Sequence, residues 1–382
     1  MEASPGLRNR IIIMKRKKEF LKNWQGSCLS AETTLHQISP YIGKMKSAMA
    51  RTLIYKYTKP RETILDPFVG SGTIALEALI AKRKIIASDI NPYALTLTRA
   101  KLNAPSSLKV ALKKVNNHLE LAKTNGGSIS LREVPSWVKS FYHPRTLKEI
   151  LKLCQVLKKK RDYFTMACLL GILHHQRPGF LSFPASHLVP YLRTRKFPKN
   201  RFNEMYNYRE VSPRLIAKIK RTYKRFPIFD NKNVKSCVKK SADKLQLRRN
   251  SIDVIITSPP YMNALDYARD NRLRMWFLGC DKFQRYDKTT NNMVKFVDLM
   301  DKSLRLFHRT LKKNGKCILV IGQVRKSKNH VNVAKIVIDL AVNKIKGFKC
   351  LEKIEDFIPD IRRARRYAQG SKKEWIVVLK RV

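Results

Sequence analysis

With 382 residues, 43% of them hydrophobic, the chain is long enough to bury one large core, or a core carrying an internal insertion. Its 80 lysines and arginines against 28 acids leave a formal net charge of +52, which folding alone does not require and which points to a polyanionic partner, nucleic acid ahead of acidic membrane. Seven cysteines (28, 154, 168, 237, 280, 317 and 350), with no C-x-x-C pair, argue against a zinc site or a disulfide framework and for a reducing compartment.

Residues 1–34 read as a basic, weakly structured lead-in, in which Ile11-Ile12-Ile13 is too short for a signal sequence. No later stretch approaches a membrane span, so a cytoplasmic protein is expected. Small and apolar positions at helical spacing predict a helix over 39–57, entered through Pro40-Tyr41. Thr63-Ile64-Leu65 is a short strand, and Gly70-Ser71-Gly72-Thr73 opens a helix reaching Ile80. Residues 84–88 predict a second strand ending at Asp89, and 92–102 a second helix. Strand–helix–strand–helix with short links is the pattern of a parallel, doubly wound sheet.

The alternation stops between 105 and 232, where the chain is mainly helical, basic and rich in aromatics. It resumes with a strand over 234–238 and the β-branched run Ile252 to Thr257, which reads as a buried parallel strand. A helical region over 291–311, a strand over 316–322, a helix over 331–343 and two strands near 349–357 and 374–379 complete the chain. The expected fold is α/β and Rossmann-like. Its sheet is divided into 35–104 and 233–382 around a helical insertion at 105–232.

Three strand ends carry the chemistry. After the first strand, Asp66-Pro67-Phe68-Val69-Gly70-Ser71-Gly72-Thr73 combines a tight glycine turn, a helix N-terminus and an acid suited to an ammonium group; its spacing does not fit G-x-G-x-x-G. Asp89 ends the second strand about twenty residues after the glycines, the place from which a carboxylate grips ribose hydroxyls. Asp243, soon after the third strand, is positioned to accept from an adenine amino group. A nucleoside cofactor carrying a positive amine, such as S-adenosylmethionine, fits these three acids. Past the fourth strand, Ser258-Pro259-Pro260-Tyr261 ends the ladder and leaves carbonyls, a hydroxyl and an aromatic ring suited to a flat base bearing an amino group.

On these motifs the chain resembles the amino-methylating DNA methyltransferases, which act on cytosine-N4 or adenine-N6. Residues 66–73 look like their cofactor loop and 257–261 like their catalytic motif. The stretch 35–44, containing Tyr41 and Lys44, is similar to the segment that helps close their methionine pocket. The resemblance implies that Tyr41, Lys44, Asp66, Pro67, Phe68, Gly70, Gly72, Thr73, Asp89 and Asp243 bind adenosylmethionine. It implies that Ser258, Pro259, Pro260 and Tyr261 hold and stack the target base. Ser258 stands where many members carry Asp or Asn, and in the family Ser leans toward cytosine-N4. The insertion falls before the third strand, a departure from the family's usual orders.

Basic and aromatic residues interleave in the insertion, and Arg193, Arg195, Lys196, Tyr208 and Arg209 are expected to meet nucleic acid, with Arg362, Arg363, Arg365 and Arg366 as a second phosphate-binding stretch. His174 and His175 are expected at a helix end or facing DNA rather than on a metal. The expected partners are double-stranded DNA and a cognate restriction endonuclease, with RNA as the alternative substrate. A guanine-N2 RNA methyltransferase and a non-catalytic nucleic-acid-binding protein are the competing readings. The short stretch before residue 35 disfavours the first and the intact motifs disfavour the second.

Overall fold

The computed structural model describes residues 21–24, 32–124, 129–260, 267–286, 292–326, 329–358 and 373–382. Helix α1 (Ser47–Tyr57) leads into β1 (Thr63–Asp66), α2 (Thr73–Ile80), β2 (Lys84–Asp89) and α3 (Pro92–Leu102). A helical layer follows, built mainly from α4 (Leu108–Thr124), α5 (Pro144–Lys159), α6 (Tyr163–Gly171) and α7 (Val211–Thr222). The chain then returns to the sheet with β3 (Val234–Lys239) and β4 (Ile252–Thr257). After α8 (Arg272–Phe277) and α9 (Met293–Thr310) come β5 (Leu311–Gly322) and a ribbon of β6 (Val324–Lys326) and β7 (Asn329–Val331). Helix α10 (Val333–Asp339) precedes the closing strands β8 (Phe348–Phe357) and β9 (Lys373–Arg381).

The seven-stranded sheet has the order β3-β2-β1-β4-β5-β9-β8. Strands β1 to β5 are parallel, and β9 runs antiparallel to both of its neighbours. This is a Rossmann-like class I methyltransferase fold. The chain winds outward from β1 to β3 and then returns to lay β4 beside β1, where Ile64 and Leu65 pair with Val254 and Ile255. A cleft opens at such a switch point, beyond the carboxyl ends of the strands.

Both sheet faces are covered, which is why β4 reads as a nearly continuous apolar run. Ile64, Val254, Ile256, Ile318 and Ile376 pack on α1 and α2, whereas Leu65, Ile255, Cys317, Leu319 and Val377 turn to α9 and α10. Each of these fully buried aliphatic side chains contributes roughly 1.5–3 kcal/mol. A third cluster lies in the helical layer, where Tyr93, Leu97 and Ala100 of α3 and Leu76 of α2 meet α4 to α7. Helix α3 therefore belongs to both layers, since its Leu102 sits in the sheet cluster.

Two expectations change. The helix predicted from residue 39 begins at Ser47, with Lys46 as an extended N-cap. The preceding residues run as a loop that turns Tyr41 and Lys44 toward the cleft. Within the stretch read as a weakly structured lead-in, residues 21–24 are helical and Trp24 is fully buried in the sheet cluster. Its Nε1 donates to Asp356 Oδ2 at 2.7 Å near the end of β8. Among the described residues no helix is long and apolar enough to cross a membrane.

The Trp24–Asp356 bond joins residues 332 positions apart inside the fold. Trp24→Phe keeps most of the packing but removes the donor from a buried carboxylate, and is expected to cost about 1–3 kcal/mol in urea unfolding.

Candidate functional site

Strand β1 ends on Asp66 and β4 ends on Thr257, side by side at the switch point. Thr257 Oγ1 donates to Asp66 Oδ1 at 2.6 Å and accepts the Phe68 N–H at 3.3 Å. Asp66 is 1% exposed. Burial pushes its carboxyl up to about 7, aided by the nearby Asp89 charge and opposed by the Thr257 and Phe68 hydrogen bonds. A carboxyl held this way gains most when a cation comes beside it.

The turn after β1 is held from front and back. In front, Asp89 Oδ2 accepts the Gly70 N–H at 2.9 Å, and Oδ1 accepts the Asn91 N–H at 2.9 Å. Behind, Thr98 Oγ1 donates to the Gly70 carbonyl at 3.2 Å and Lys101 Nζ to the Ser71 carbonyl at 2.5 Å. Thr98 and Lys101 lie three residues apart on α3, hence on one helix face. Two successive loop carbonyls are thereby tied into the protein. Lys101 is 1% exposed, and burial pushes its ammonium down to about 7.

The two glycines of the turn do different work. Both have positive φ, +51° at Gly70 and +74° at Gly72. A Cβ at Gly70 would meet the Tyr41 ring at an ordinary 3.6 Å, whereas one at Gly72 would lie 2.8 Å from Thr98 Oγ1 and 3.0 Å from Thr98 Cα. Gly70 faces the cleft, and Gly72 lets α3 approach.

The cleft encloses about 1030 Å³, counting the part open to solvent. Its walls bring together Tyr41, Lys44, Asp66, Pro67, Phe68, Gly70, Thr73, Asp89, Ser258 and Pro260, all singled out in the sequence. Lys44 also donates to Glu32 Oε2 and to the His36 carbonyl. Ser258 Oγ donates to the Val320 carbonyl of β5 at 3.0 Å, so its hydroxyl proton is committed and its lone pairs remain for a ligand. Pro259 is buried, and neither it nor Gly72 lies on the cleft wall. Asp243 also stands off the wall, where its carboxylate accepts from the Ser241 hydroxyl. Tyr261 lies outside the described residues.

Several wall residues were not anticipated. Lys240 and Ser241 follow β3, and Asn91 follows β2, so the rule that ligands sit past strand ends would have found them. Tyr286 and Leu299 arrive from distant segments and carry no local signal.

The residues expected to meet nucleic acid divide into distinct groups. Arg195 and Lys196 are exposed. Arg193 is half-buried and donates to Gln176 Oε1 at 2.6 Å. Tyr208 donates to Glu149, and its ring lies 4.3 Å from the Arg145 guanidinium. Arg209 is a correction. It is 7% exposed and its guanidinium donates to the carbonyls of Arg177, Phe180 and Met205, so it pins loops together instead of meeting phosphate. His174 is likewise buried, with Nδ1 donating to the Ser186 carbonyl at 2.7 Å. Arg362, Arg363, Arg365 and Arg366 lie outside the described residues.

Comparison with known proteins finds partial matches to methyltransferases. The family described as DNA methylase, N6_N4_Mtase, matches residues 6–100, which contain the loop and both strand-end acids Asp66 and Asp89. Residues 6–100 of this chain are thus similar to the amino-methylating DNA methyltransferases. Over 111 residues it is 26% identical to the Type II methyltransferase M.MthZI of Methanothermobacter thermautotrophicus, covering 27% of this chain and 31% of that protein. Over 110 residues it is 24% identical to the Type II methyltransferase M.MjaII of Methanocaldococcus jannaschii, covering 28% and 21%. The chain thus spans under a third of the length of either curated relative it matches. A solved SAM-dependent methyltransferase of Methanosarcina mazei is 10% identical over 86% of this chain and 97% of its own, with a TM-score of 0.37. The strand order, not that score, defines the fold.

The two glycines and Asp66 give measurable expectations. Gly72→Ala should lose more than the roughly 1–2 kcal/mol of a left-handed backbone in chemical unfolding, and more than Gly70→Ala, because it alone also collides with α3. Asp66 holds its proton more tightly folded than unfolded, so its share of ligand-free stability is full below the ordinary carboxyl range and is lost as pH rises through about 7. The wild-type melting temperature minus that of Asp66→Asn should therefore fall between about pH 4 and pH 8.

Proposed function

We propose that the protein methylates the exocyclic amino group of a base flipped from duplex DNA, using S-adenosylmethionine, with cytosine-N4 favoured over adenine-N6. The observation that carries this reading is the state of Ser258. With its proton on the Val320 carbonyl, the hydroxyl offers only acceptor lone pairs to the cleft, which is what an amino group requires.

The donor set fits adenosylmethionine. Asp66 gives the buried carboxyl for its ammonium group, and Asp89 keeps lone pairs for ribose hydroxyls after accepting two backbone N–H groups. Tyr41, Phe68 and Ile90 supply apolar walls. When bound, the cofactor supplies a sulfonium methyl for transfer.

The chain's own residues perform positioning and electrostatics. Ser258 Oγ accepts one N–H of the target amino group, which favours a pyramidal nitrogen with its lone pair free. No strong base is required, because the proton leaves only after the nitrogen has become cationic. Tyr261 stacks on the flipped base. Ser at the first position of the motif supports cytosine-N4, and the Type II designation of the two relatives supports a companion restriction endonuclease.

Purified protein incubated with tritiated adenosylmethionine should label duplex DNA and not RNA, with N4-methylcytosine recovered by mass spectrometry of the nucleosides. Ser258→Ala should lower kcat roughly 10²-fold while leaving DNA affinity unchanged, since it removes an interaction that matters most in the transition state. Label confined to RNA, or full activity in Ser258→Ala, would refute the assignment.

A further inference from the structure

A base-flipping enzyme must fill, or hold open, the space that the flipped base leaves in the duplex. Proteins that unstack DNA do so with apolar side chains on a stiff support. One element combines these properties. Ala185 and Leu192 form an antiparallel bridge, and the Ser186 N–H donates to the Tyr191 carbonyl at 3.0 Å, closing a tight loop between them. At its tip Leu188 is 41% exposed, and Tyr191, in the closing pair, is 51% exposed.

The backbone of this tip is braced from within. Arg274, 1% exposed, donates through Nη1 to the Leu188 carbonyl and through Nη2 to the His187 carbonyl, at 3.2 and 3.3 Å. Arg272 donates to the Pro190 carbonyl at 2.9 Å, and His174 to that of Ser186. Two arginines of one helix thus hold three consecutive-region carbonyls while the apolar side chains stay in solvent. That is an unusual use of a buried guanidinium, whose desolvation is offset here by carbonyl acceptors.

The brace also fixes where the tip stands. Helix α8, which carries both arginines, begins fourteen residues after Ser258. The Arg274 guanidinium lies 5.7 Å from the Tyr93 ring, and that ring lies 5.9 Å from Tyr41 on the cleft wall. Tyr93 sits in the first turn of α3, at the cleft end of the sheet, with its hydroxyl on the Pro40 carbonyl. Exposed Arg195 and Lys196 follow the loop closely in sequence, matching a phosphate backbone in charge. Ile228, 96% exposed, precedes the start of β3 and so lies toward the opposite end of the sheet.

We propose that the loop from Ala185 to Leu192 is a duplex-engaging wedge, with Leu188 and Tyr191 entering the base stack beside the flipped nucleotide and the α8 arginines setting its distance from the cleft. This rests on the reading of the cleft as a DNA base methyltransferase site. The wedge acts on the unpaired state of the duplex and not on the cofactor.

The test uses the full chain carrying Leu188→Ala together with Tyr191→Ala, with Ile228→Ala as an exposed apolar control. Methyl transfer from tritiated adenosylmethionine into sheared duplex genomic DNA should fall roughly tenfold or more at saturating DNA in the double variant and stay unchanged in the control. Anisotropy with a fluorescein-labelled duplex should show affinity within about threefold of wild type, because phosphate contacts dominate it. Once the methylated site has been mapped from the labelled DNA, a duplex carrying the target base opposite an abasic position should restore most of the lost rate, since unpairing is then no longer needed. Turnover equal to wild type, a loss confined to affinity, or a defect undiminished on the abasic duplex would each overturn the wedge while leaving the site assignment standing. A wild-type protein that labels no DNA overturns the site assignment and the wedge together.

Discussion

The hydrogen bond from Thr257 to Asp66 spans 191 residues of sequence and joins the ends of two adjacent strands at the point where the sheet reverses its winding. One of these strands launches the cofactor loop and the other launches the Ser-Pro-Pro-Tyr motif. The distance between the two half-sites is therefore set by a strand pair, the stiffest connection the fold offers. Because Thr257 also takes the Phe68 N–H, the same hydroxyl fixes the first step of the loop. A side chain with one donor and two acceptor sites is the smallest group that can serve both strands at once. Burial raises the proton affinity of Asp66 against the opposing Thr257 hydrogen bond, and the carboxyl still opens to the cleft.

Around that bond the helix α3 does a second kind of work. Its N-terminus carries Asn91, whose side chain caps the helix by accepting from the Tyr93 and Ala94 N–H groups. Its interior face carries Thr98 and Lys101, which hold the loop from behind. The glycine loop is thus pre-shaped by Asp89 on one side and by a helix on the other. Little of its ordering is left for a ligand to supply, which favours tight binding of a small molecule.

Much of this was legible in the sequence because sheet strands covered on both faces must be apolar, and because the residues past their carboxyl ends must be the chemical ones. Asp66, Gly70, Asp89 and Ser258 come together for that reason. What was not legible depended on contacts between distant segments. Lys101 sits in a helix of a very basic chain and looks like one more solvated lysine; only its meeting with the Ser71 carbonyl distinguishes it. Gly72 looked equivalent to Gly70 until Thr98 was placed against it. Arg209 carried the same basic-aromatic signature as its exposed neighbours, and the difference lies in three carbonyls that no local pattern announces. Asp243 marks the reach of the strand-end rule: the rule pointed to the segment, where Ser241 and Ala242 line the cleft while the acid turns back on the Ser241 hydroxyl.

Because α3 is at once a layer of the sheet, a wall of the helical cluster and the rear support of the cofactor loop, the helices that follow it are not an interchangeable attachment. Replacing them with other helices would also require reproducing the apolar surface that seats Tyr93, Leu97 and Ala100. A graft that let α3 shift by even a fraction of a turn would carry Thr98 and Lys101 off their carbonyls. Changes at exposed loop residues such as Arg195 and Lys196 leave that support untouched, whereas exchange of whole helices does not.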